Sequence, residues 1–442
     1  MTPELQIVLG IRPADVKKVL IITYYWPPSG GAGVQRWLKF ARYLPRKGAE
    51  PFILTVDPDY ASYPQIDESL ERDIPAGLKV YRTKSREILH LVSGILGRDK
   101  VPYGGFSNVD TSGLFQTLMR FIRGNLFIPD ARKGWNRYAV KTAREIISVN
   151  DIPVVITTGP PHSTHLVGLK LKKRLGVRWI ADFRDPWTDI YYYKDLLHTI
   201  PAREIDRRLE REVLDLADNV IVNCNSNKEL LLAKTRNREA GKFSVITNGY
   251  DPQDFKIDVE PADDFIITWS GTMSGHYNPD VFFSTLADLV RQYPRVSFKF
   301  RVAGTISSSA RRQLKEYGLE RIFDYPGYVA HEKLVKYLKE SSALLYIFPE
   351  TEKDKGVAGK LFEYLASERP VIAIGPPDSD AAAIIEECDA GKTFPRDDEG
   401  GLLNYLSGLV ERFKRGEHIT AGNGNHTEYT REKLAWRLAQ LI

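Results

Sequence analysis

The feature that most constrains the fold is a unit that recurs along the 442 residues: a short apolar run, a loop of small residues and a helix-length stretch. Residues 19–23, 154–158 and 265–269 are apolar runs of this kind. Such runs, about four to eight residues long and bounded by turn residues, predict strands buried on both faces of a parallel sheet. Because these strands alternate with helices and the chain is too long for one core, we predict two doubly wound α/β sheets.

Composition narrows the class of protein. Hydrophobic residues make up 43% of the chain, and no stretch of about 18 uncharged apolar residues occurs, so we expect no transmembrane helix. The first residues lack the apolar core of a signal peptide, and the two cysteines, Cys224 and Cys388, indicate a reducing, cytoplasmic compartment. The net charge of +5 is spread along the chain. It favours an anionic partner such as a nucleotide, a lipid headgroup or a nucleic acid; of these we predict a nucleotide and no nucleic acid.

Residues 356–375 read as a glycine-bounded loop, a short helix that ends at Arg369 and Pro370, and a buried strand. On this helix Glu363 falls opposite the apolar side that contains Leu361, within the first turn or so. A helix N-terminus favours anions through its free N–H groups and its dipole, and a carboxylate beside it accepts hydrogen bonds from sugar hydroxyls. The stretch therefore predicts a site for a nucleoside diphosphate. An ordinary amphipathic core helix is the alternative.

The first apolar run leads into a glycine loop at residues 29–33, and a helix begins near Val34. Strand, glycine loop and helix form a geometry that cradles phosphate, because glycine lets backbone N–H groups approach an anion closely. The loop matches neither a Walker motif nor Gly-x-Gly-x-x-Gly. Gly30 and Gly31 are therefore predicted to approach a phosphate or a sugar, with a plain tight turn as the alternative. Residues 270–272, Ser-Gly-Thr, predict a second small-residue loop.

Two more loops carry polar candidates. Residues 154–158 lead into Gly-Pro-Pro-His-Ser-Thr-His, which places His162 at the carboxyl edge of a parallel sheet, where α/β enzymes build their sites. The proline pair fixes the loop and suits a positioned side chain, whereas His165 is equally a core or a capping residue. The next strand ends in Asp-Phe-Arg-Asp-Pro-Trp, in which Asp185 is the candidate. An Arg–Asp pair that only holds this loop is the alternative.

Together these motifs resemble GT-B glycosyltransferases, in particular the large retaining family 4. Lys-Leu-Phe-Glu-Tyr-Leu-Ala from Lys360, followed by Pro-Val-Ile, resembles the donor nucleotide site of that family. Pro-x-x-Gly-Gly, which ends at Gly31, resembles a loop that lies against the donor phosphates and sugar. Thr-Gly-Pro-Pro-His-Ser around His162, with Asp-Phe-Arg-Asp-Pro-Trp, looks like a bacterial branch that makes surface polysaccharides. One position departs from the pattern: Lys355 stands where many members carry a second glutamate, eight positions before Glu363.

The resemblance implies the GT-B fold, in which two Rossmann-like doubly wound domains face each other across a cleft. Residues 1–250 would form the N-terminal, acceptor-side domain. Residues 251–426 would form the C-terminal domain that binds the nucleotide sugar. A C-terminal helix over residues 427–442 would pack back on the first domain, as such helices do in this fold.

The resemblance also assigns roles to single residues. His162, which would contact the sugar or the phosphate, and Asp185, which would bind or orient the acceptor, are the implied catalytic residues. Glu363 would bind the ribose of the donor. The other positions implied in nucleotide-sugar binding are Gly30 and Gly31 in the first domain and Ser270, Gly271, Thr272, Tyr328, Val329, Lys360 and Leu361 in the second.

The implied activity is retaining transfer of a sugar from a nucleoside diphosphate sugar to a saccharide or lipid-linked acceptor, in capsule, O-antigen or exopolysaccharide synthesis. No metal and no cofactor are expected, because helix termini, Lys360 and the glycine loops supply positive charge for the leaving diphosphate. Asp57 and Asp59 suggest the metal site of the GT-A fold, but the proline between them favours a turn. A non-catalytic subunit that binds nucleotide or polysaccharide, and a nucleotide-sugar 2-epimerase, are the rival functions.

The region between the first strands and the His162 loop is the least regular in the sequence. Residues 86–96 and 114–127 are apolar with scattered arginines. The second stretch could form an amphipathic helix in a membrane interface, but a helix packed on its own domain is the better interpretation. We therefore predict a cytoplasmic protein, with peripheral contact at the inner face of the plasma membrane as an open alternative.

Overall fold

Two parallel β-sheets organise the chain. The computed structural model describes residues 16–86, 114–190, 192–260, 262–350 and 356–442. The chain divides into two compact units. Unit 1 extends to Thr247 and also includes the segment Arg431–Ile442, whereas unit 2 is the intervening segment Asn248–Thr430.

The elements of unit 1 come first along the chain. Its strands are β1 (Lys17–Ile22), β2 (Ala49–Val56), β3 (Lys79–Thr83), β4 (Val154–Gly159), β5 (Arg178–Phe183), β6 (Asn219–Val222) and β7 (Phe243–Val245). Its α-helices up to that point are α1 (Ala32–Tyr43), α2 (Leu114–Leu126), α3 (Asn136–Asn150), α4 (Ser163–Leu175), α5 (Ile200–Leu216) and α6 (Asn225–Leu232).

The elements of unit 2 follow. Its strands are β8 (Phe265–Met273), β9 (Phe298–Ile306), β10 (Phe323–Gly327), β11 (Ala343–Ile347), β12 (Val371–Ile374) and β13 (Gly391–Phe394). Its α-helices are α7 (Asp280–Gln292), α8 (Ser308–Glu316), α9 (His331–Glu340), α10 (Lys360–Ser367), α11 (Asp380–Glu387) and α12 (Glu399–Lys414). A last helix, α13 (Arg431–Ala439), returns to unit 1.

Both sheets have the strand order of doubly wound folds. The unit 1 order is β3-β2-β1-β4-β5-β6-β7 and the unit 2 order is β10-β9-β8-β11-β12-β13. Every neighbouring pair is parallel. In each sheet the order reverses once, between β1 and β4 and between β8 and β11, and ligands of such sheets bind at that reversal. The prediction of two doubly wound, Rossmann-like sheets is confirmed.

The side chains of a strand alternate between the two faces of its sheet, so a strand that is apolar throughout buries side chains on both faces. In β1, Leu20 and Ile22 pack on the face covered by α3 and α4, while Val19 and Ile21 pack on the opposite face. That opposite face is covered by α1 and by α13, whose Leu434 is fully buried. Complete burial of such side chains contributes about 1.5–3 kcal/mol each. In unit 2 the corresponding core gathers the inner residues of β8, β9 and β11 with α7 and α12.

Helix ends follow local signals in the sequence. Helix α4 ends at Gly176, which adopts the left-handed conformation with φ of 66°. Helix α5 begins after Thr199, whose hydroxyl accepts a hydrogen bond from the N–H of Ala202. Helix α10 begins after Gly359 and ends shortly before Pro370. Among the described residues, none of the helices is both long and apolar enough to cross a bilayer.

Two boundaries differ from the sequence predictions. The predicted loop at Ser270, Gly271 and Thr272 is wrong, because β8 continues to Met273 and stays paired with β9 as far as Ile306. The C-terminal helix begins at Arg431 rather than at residue 427, because a short 3₁₀ turn precedes it. Small residues thus mark a tight part of the sheet rather than its end.

Candidate functional site

Three predicted loops of unit 1 meet at one edge of its sheet. They follow β1, β4 and β5, which are neighbours in the sheet and all run in the same direction. The carboxyl ends of these strands include the reversal of strand order, where α/β proteins place their sites. The glycine loop, the His162 loop and the Asp185 loop are therefore brought together as predicted from their position after strands.

His162 is a buried, neutral histidine. It is 9% exposed, directly precedes α4, and its ring lies parallel to the indole of Trp187 at 5.2 Å between centroids and 7° between planes. Neither ring nitrogen makes a hydrogen bond of normal geometry among the described residues. Burial, together with the cations of Arg184 and Lys234, lowers the pKa of His162 to about 3 and outweighs the opposing effect of the Pro186 carbonyl. At neutral pH this imidazole therefore offers one donor and one acceptor rather than a charge.

His165 is a core residue. It is fully buried, and its ring stacks on Phe183 at 4.4 Å. Its Nδ1 lies 2.9 Å from the Thr157 hydroxyl, which accepts a hydrogen bond from the Trp179 indole at 2.9 Å. Of the two readings left open by the sequence, packing in the core is the one observed.

The Arg184 guanidinium connects the glycine loop with the proline loop. It donates to the carbonyl of Pro160. On its other side it lies against Gly33, so closely that a Cβ added there would be 1.4 Å from Nη1. Burial lowers the pKa of Arg184, and the carboxylates of Asp185 and Asp182 oppose that effect. Asp185 itself is half-buried beside this arginine.

The glycine loop is held by the segment that follows β2. The N–H of Gly30 donates to the carbonyl of Gln65 at 3.0 Å, and the N–H of Asp67 donates to Pro28 at 2.8 Å. Gly31, which directly precedes α1, has φ of 104°, a conformation that favours glycine. A side chain at Gly31 would meet nothing within 4 Å, so one side of the loop has room for a ligand.

Asp182 belongs to a buried structural network. It pairs with Arg36 at 3.2 Å and accepts hydrogen bonds from the Trp37 indole at 3.0 Å and from the Thr158 hydroxyl at 2.9 Å. Arg36 also donates to the carbonyl of Ile246 at 2.9 Å. Because both carboxylate oxygens of Asp182 already accept hydrogen bonds in the core, this ion pair holds elements together and does not bind a ligand. A buried Arg–Asp pair is thus present at the end of β5, and its arginine comes from α1.

In unit 2, the amine of Lys360 lies against aromatic rings. Its Nζ lies 3.2 Å from the centroid of the Trp269 ring and 5.8 Å from that of Tyr277. It is buried and makes no hydrogen bond within the part of the chain that the structure describes. Burial lowers the pKa of Lys360 well below its usual value, and the nearby carboxylate of Glu363 opposes this. An anion placed beside this amine would favour its charged form.

The Ser-Gly-Thr segment lies beside Lys360 within the sheet. The N–H and the hydroxyl of Ser270 interact with the Tyr364 hydroxyl at 2.9 and 3.2 Å, so this side chain is used in the core. Gly271 is paired with Gly304 of β9, and a Cβ on Gly304 would lie 2.2 Å from the Gly271 carbonyl oxygen. Gly271 and Thr272 are exposed. These two residues, and not Ser270, can face a ligand.

Glu363 has a partner that the sequence did not indicate. Its Oε1 lies 3.0 Å from Nε2 of His331, the first residue of α9, and both side chains are about one-fifth exposed. Glu363 is therefore accessible and already oriented. Leu361, two residues earlier, is fully buried, so its side chain packs in the core. Tyr328 and Val329 directly follow β10; Tyr328 is 60% exposed and Val329 is partly buried.

Other predictions concern acids and residues outside the description. The carboxylate of Asp57 accepts a hydrogen bond from the N–H of Asp59 at 3.0 Å, as expected for a turn. The described residues contain no cluster of three or more His, Cys, Asp or Glu that could hold a metal ion. Lys355 and most of the stretch 86–96 lie outside the described residues.

Several residues near these loops were missed from the sequence. Asp130 accepts hydrogen bonds from the N–H and the hydroxyl of Ser163, both at 2.8 Å, and so occupies the first N–H of α4. Asp206 and Glu210 are each 1% exposed on α5, where they accept hydrogen bonds from the loop after β5. The sequence did contain a signal for Asp206 and Glu210, because two acids four residues apart on the apolar stripe of a helix are unusual.

Comparisons with known families agree on one class of enzyme. Residues 109–254 match the family described as Glycosyltransferase Family 4, and residues 264–412 match the one described as Glycosyl transferases group 1. The two matches fall in unit 1 and unit 2 respectively. A search of curated proteins finds no match.

Solved structures resemble the fold along nearly the whole chain. Sucrose-phosphate synthase from Thermosynechococcus elongatus matches with a TM-score of 0.57 at 16% identity, over 96% of this chain and 98% of that one. The lipopolysaccharide outer core galactosyltransferase WaaB in its apo form matches at 0.54 and 13%, over 96% and 99%. A putative UDP-N-acetylglucosamine 2-epimerase from Listeria monocytogenes matches at 0.53 and 12%, over 96% and 95%. At these identities the likeness shows the fold only.

Proposed function

Because the chain is a glycosyltransferase of the GT-B fold, with a family 4 domain and a group 1 domain, we propose that its donor is a nucleoside diphosphate sugar that binds to unit 2. The acceptor is a saccharide or a lipid-linked molecule, and the anomeric configuration is retained. The reaction belongs to capsule, O-antigen or exopolysaccharide synthesis in a bacterium, on the cytoplasmic side of the membrane. Transfer needs neither a metal ion nor a further cofactor.

The observation that carries the proposal is the buried amine of Lys360, which makes no hydrogen bond to any residue that the structure describes. It stands at the first residue of α10, where the positive end of the helix dipole favours an anion. Gly271 leaves open space beside it, since a side chain there would approach only the end of Lys360, at 3.9 Å. A diphosphate placed here gains a charged hydrogen bond from Lys360, and it offsets the cost of burying that amine.

The same site supplies what the leaving group needs. Negative charge grows on the diphosphate as the bond to the sugar breaks, and preorganised positive groups stabilise that charge in the transition state. Lys360 and the α10 N-terminus are such groups. Glu363, one turn further along and held by His331 at 3.0 Å, accepts hydrogen bonds from the ribose hydroxyls. Tyr328 and Val329 lie by the base.

In unit 1, His162 and Asp185 contribute the polar groups of the sugar and acceptor side. The neutral imidazole of His162 donates one hydrogen bond to the transferred sugar or to the diphosphate without adding a charge. Asp185, half-buried beside Arg184, orients an acceptor hydroxyl. Gly30 and Gly31 offer a loop edge with free space on one side. These assignments place the donor-leaving chemistry on unit 2 and the positioning of the sugar and acceptor on unit 1.

Peripheral contact with the membrane is the proposed role of α2. Leu118, Phe121 and Leu126 of this helix are 54%, 45% and 66% exposed. Arg123 is on its inner side, where burial lowers the pKa of the guanidinium. The apolar side chains and not the arginines would therefore enter the interface. Flotation with phosphatidylcholine–phosphatidylglycerol vesicles tests this role, and Phe121→Ser should reduce binding. The control Leu175→Ser, at a residue of α4 that is 42% exposed, should not reduce it.

The donor is tested first with the diphosphates alone. Thermal unfolding is followed with UDP, GDP, ADP and CDP in the presence of EDTA, and one of them should stabilise the protein, by about 2.7 kcal/mol at a hundred times its dissociation constant. Lys360→Met should abolish that shift. Lys392→Met, at an exposed lysine of β13, should keep it. Stabilisation that survives Lys360→Met would overturn the assignment of the diphosphate site.

The reaction is tested with radiolabelled sugars on the nucleotide that binds. Transfer of label to a bacterial polysaccharide or lipid fraction is the expected outcome. Conversion of the nucleotide sugar to its 2-epimer without an acceptor would instead identify a 2-epimerase. Analysis of the anomeric configuration of the product by NMR decides between retention and inversion.

A further inference from the structure

Helix α5 carries two carboxylates on its buried side. Its buried residues include Asp206 and Glu210, each 1% exposed, next to apolar residues such as Val213. A buried acid is costly unless hydrogen bonds satisfy it. Both acids are satisfied by the loop between β5 and α5, so the helix acts as a platform for that loop.

Glu210 anchors the middle of the loop. Its carboxylate accepts hydrogen bonds from the Thr188 hydroxyl at 2.6 Å and from the amine of Lys234 at 2.8 Å. Lys234 also pairs with Asp189 at 2.5 Å. These contacts fix the backbone immediately after Trp187.

Asp206 holds the Trp187 side chain itself. One carboxylate oxygen accepts a hydrogen bond from the indole Nε1 of Trp187 at 2.7 Å, and the other accepts one from the Tyr193 hydroxyl at 2.8 Å. Trp187 is 2% exposed, and an indole N–H can only donate, so without Asp206 this donor would be buried and unpaired.

The held ring determines where His162 lies. The two rings are parallel, with 5.2 Å between centroids, and among the described residues His162 has no hydrogen bond of normal geometry to fix its orientation. Its other ring contacts, with Phe183 at 6.1 Å and His165 at 6.0 Å, are longer and tilted. The Trp187 ring is therefore the main surface against which the imidazole rests.

We propose that Asp206 is a positioning residue for the transfer reaction: it holds Trp187 by a buried hydrogen bond, and the Trp187 ring in turn fixes and desolvates His162. The inference rests on the proposed function, in which His162 contacts the donor sugar or diphosphate. It adds a chain of contacts from α5 to the reacting groups, Asp206 to Trp187 to His162. Asp206 itself touches no substrate.

The test follows the His162 imidazole directly. Protein labelled with ¹³C,¹⁵N-histidine is titrated from pH 5.5 to 8 by NMR, and the His162 signal is assigned by its loss in His162→Gln. In the wild type this signal should not titrate. In Asp206→Ala, Trp187 loses its anchor, water reaches the ring, and the signal should titrate near the ordinary histidine range, about pH 6.5.

Two variants separate positioning from general damage. Asp206→Asn keeps an amide oxygen for the Trp187 indole and should behave as the wild type. Tyr193→Phe removes the other hydrogen bond to Asp206 but leaves Trp187 held, and His162 should again not titrate. If Asp206→Ala does not fold, Trp187→Phe takes its place, because it removes the same donor and keeps an aromatic ring; it should make His162 titrate.

Activity provides the second readout. Release of nucleoside diphosphate from UDP-glucose, UDP-galactose, UDP-N-acetylglucosamine and GDP-mannose is measured as kcat and KM. Asp206→Ala should lower kcat by about 10-fold or more with a donor KM within about two-fold of the wild type, and Asp206→Asn should restore kcat.

The outcomes distinguish this inference from the proposed function. A His162 signal that stays silent in folded Asp206→Ala overturns the positioning role, whatever the activity. Equal loss of kcat in Asp206→Asn and Asp206→Ala also overturns it, because the hydrogen bond to Trp187 would then not be the cause. If the wild type turns over none of the four nucleotide sugars, the proposed function loses its support, while the titration still decides whether Asp206 places His162.

Discussion

Replacing Asp206 by asparagine should make the protein more stable at alkaline pH. Burial raises the pKa of this carboxyl to about 7 from 3.8, and the hydrogen bonds from Tyr193 and Trp187 offset that only in part. A raised pKa means that the folded protein holds this proton while the unfolded chain has lost it. The stability that this gives is complete below pH 3.8 and is lost as pH rises towards 7. Asparagine has no such proton and keeps an acceptor for Trp187.

The size follows from the shift. Each pKa unit is worth about 1.4 kcal/mol, so between pH 5 and pH 8 this carboxyl should cost the wild type about 3 kcal/mol that Asp206→Asn does not lose. Urea denaturation of both proteins at the two pH values measures the difference, and all other titrating groups cancel in the comparison. The matched control is Asp218→Asn, at a partly exposed acid that pairs with Lys172. Equal pH dependence of Asp206→Asn and wild type would show that Asp206 ionises freely in the fold, and the reasoning from burial would be refuted.

Three further predictions concern the nucleotide site, the metal requirement of transfer and the stability of unit 2. Glu363→Gln should weaken nucleotide binding by about 1.5–3 kcal/mol in calorimetry through loss of a charged hydrogen bond to ribose, and the exposed control Glu386→Gln should not; unchanged affinity would remove Glu363 from the site. Transfer should persist in EDTA, and a complete loss that only magnesium or manganese restores would contradict metal-independent chemistry. Gly304→Ala should lower the unfolding temperature of unit 2 by several degrees, because its Cβ would lie 2.2 Å from the Gly271 carbonyl; a normal unfolding temperature would mean that the two strands separate without cost.

The sheets could be predicted because their signal is local. A buried parallel strand needs apolar side chains on both faces, so runs such as that of β1 stand out from the loops that follow them. The edge strand β3 was not predicted, because its residues are largely half-exposed and include Lys79 and Arg82. An edge strand needs fewer apolar residues and often carries charge.

The Ser-Gly-Thr segment shows why loop composition can mislead. Small residues at 270–272 have the composition of a loop, yet β8 continues through them. The reason is a close approach: Gly304 faces Gly271 in the neighbouring strand, and a Cβ on Gly304 would lie 2.2 Å from the Gly271 carbonyl oxygen. Sequence patterns cannot separate a turn from such a contact, because the two glycines are 33 positions apart in the chain.

The partners of the site residues could not be predicted for a similar reason. His331 and Glu363 lie on different helices, and only the packing of α9 beside α10 brings their side-chain atoms within 3.0 Å of each other. Asp206 could have been suspected from its position on the apolar stripe of α5. Its partners, Trp187 and Tyr193, come from a loop without periodicity, and nothing in the sequence fixes where that loop lies.

The placement of α13 has a consequence for synthesis of the chain on the ribosome. This helix covers one face of the unit 1 sheet with Leu434 and Leu438, which are fully buried, yet it is translated after all of unit 2. Until α13 emerges from the ribosome, the apolar side chains that it covers in unit 1 are exposed to water and to other chains. Unit 2 can fold as an inserted domain before unit 1 is complete. A nascent chain arrested before Arg431 should therefore present a surface that chaperones bind.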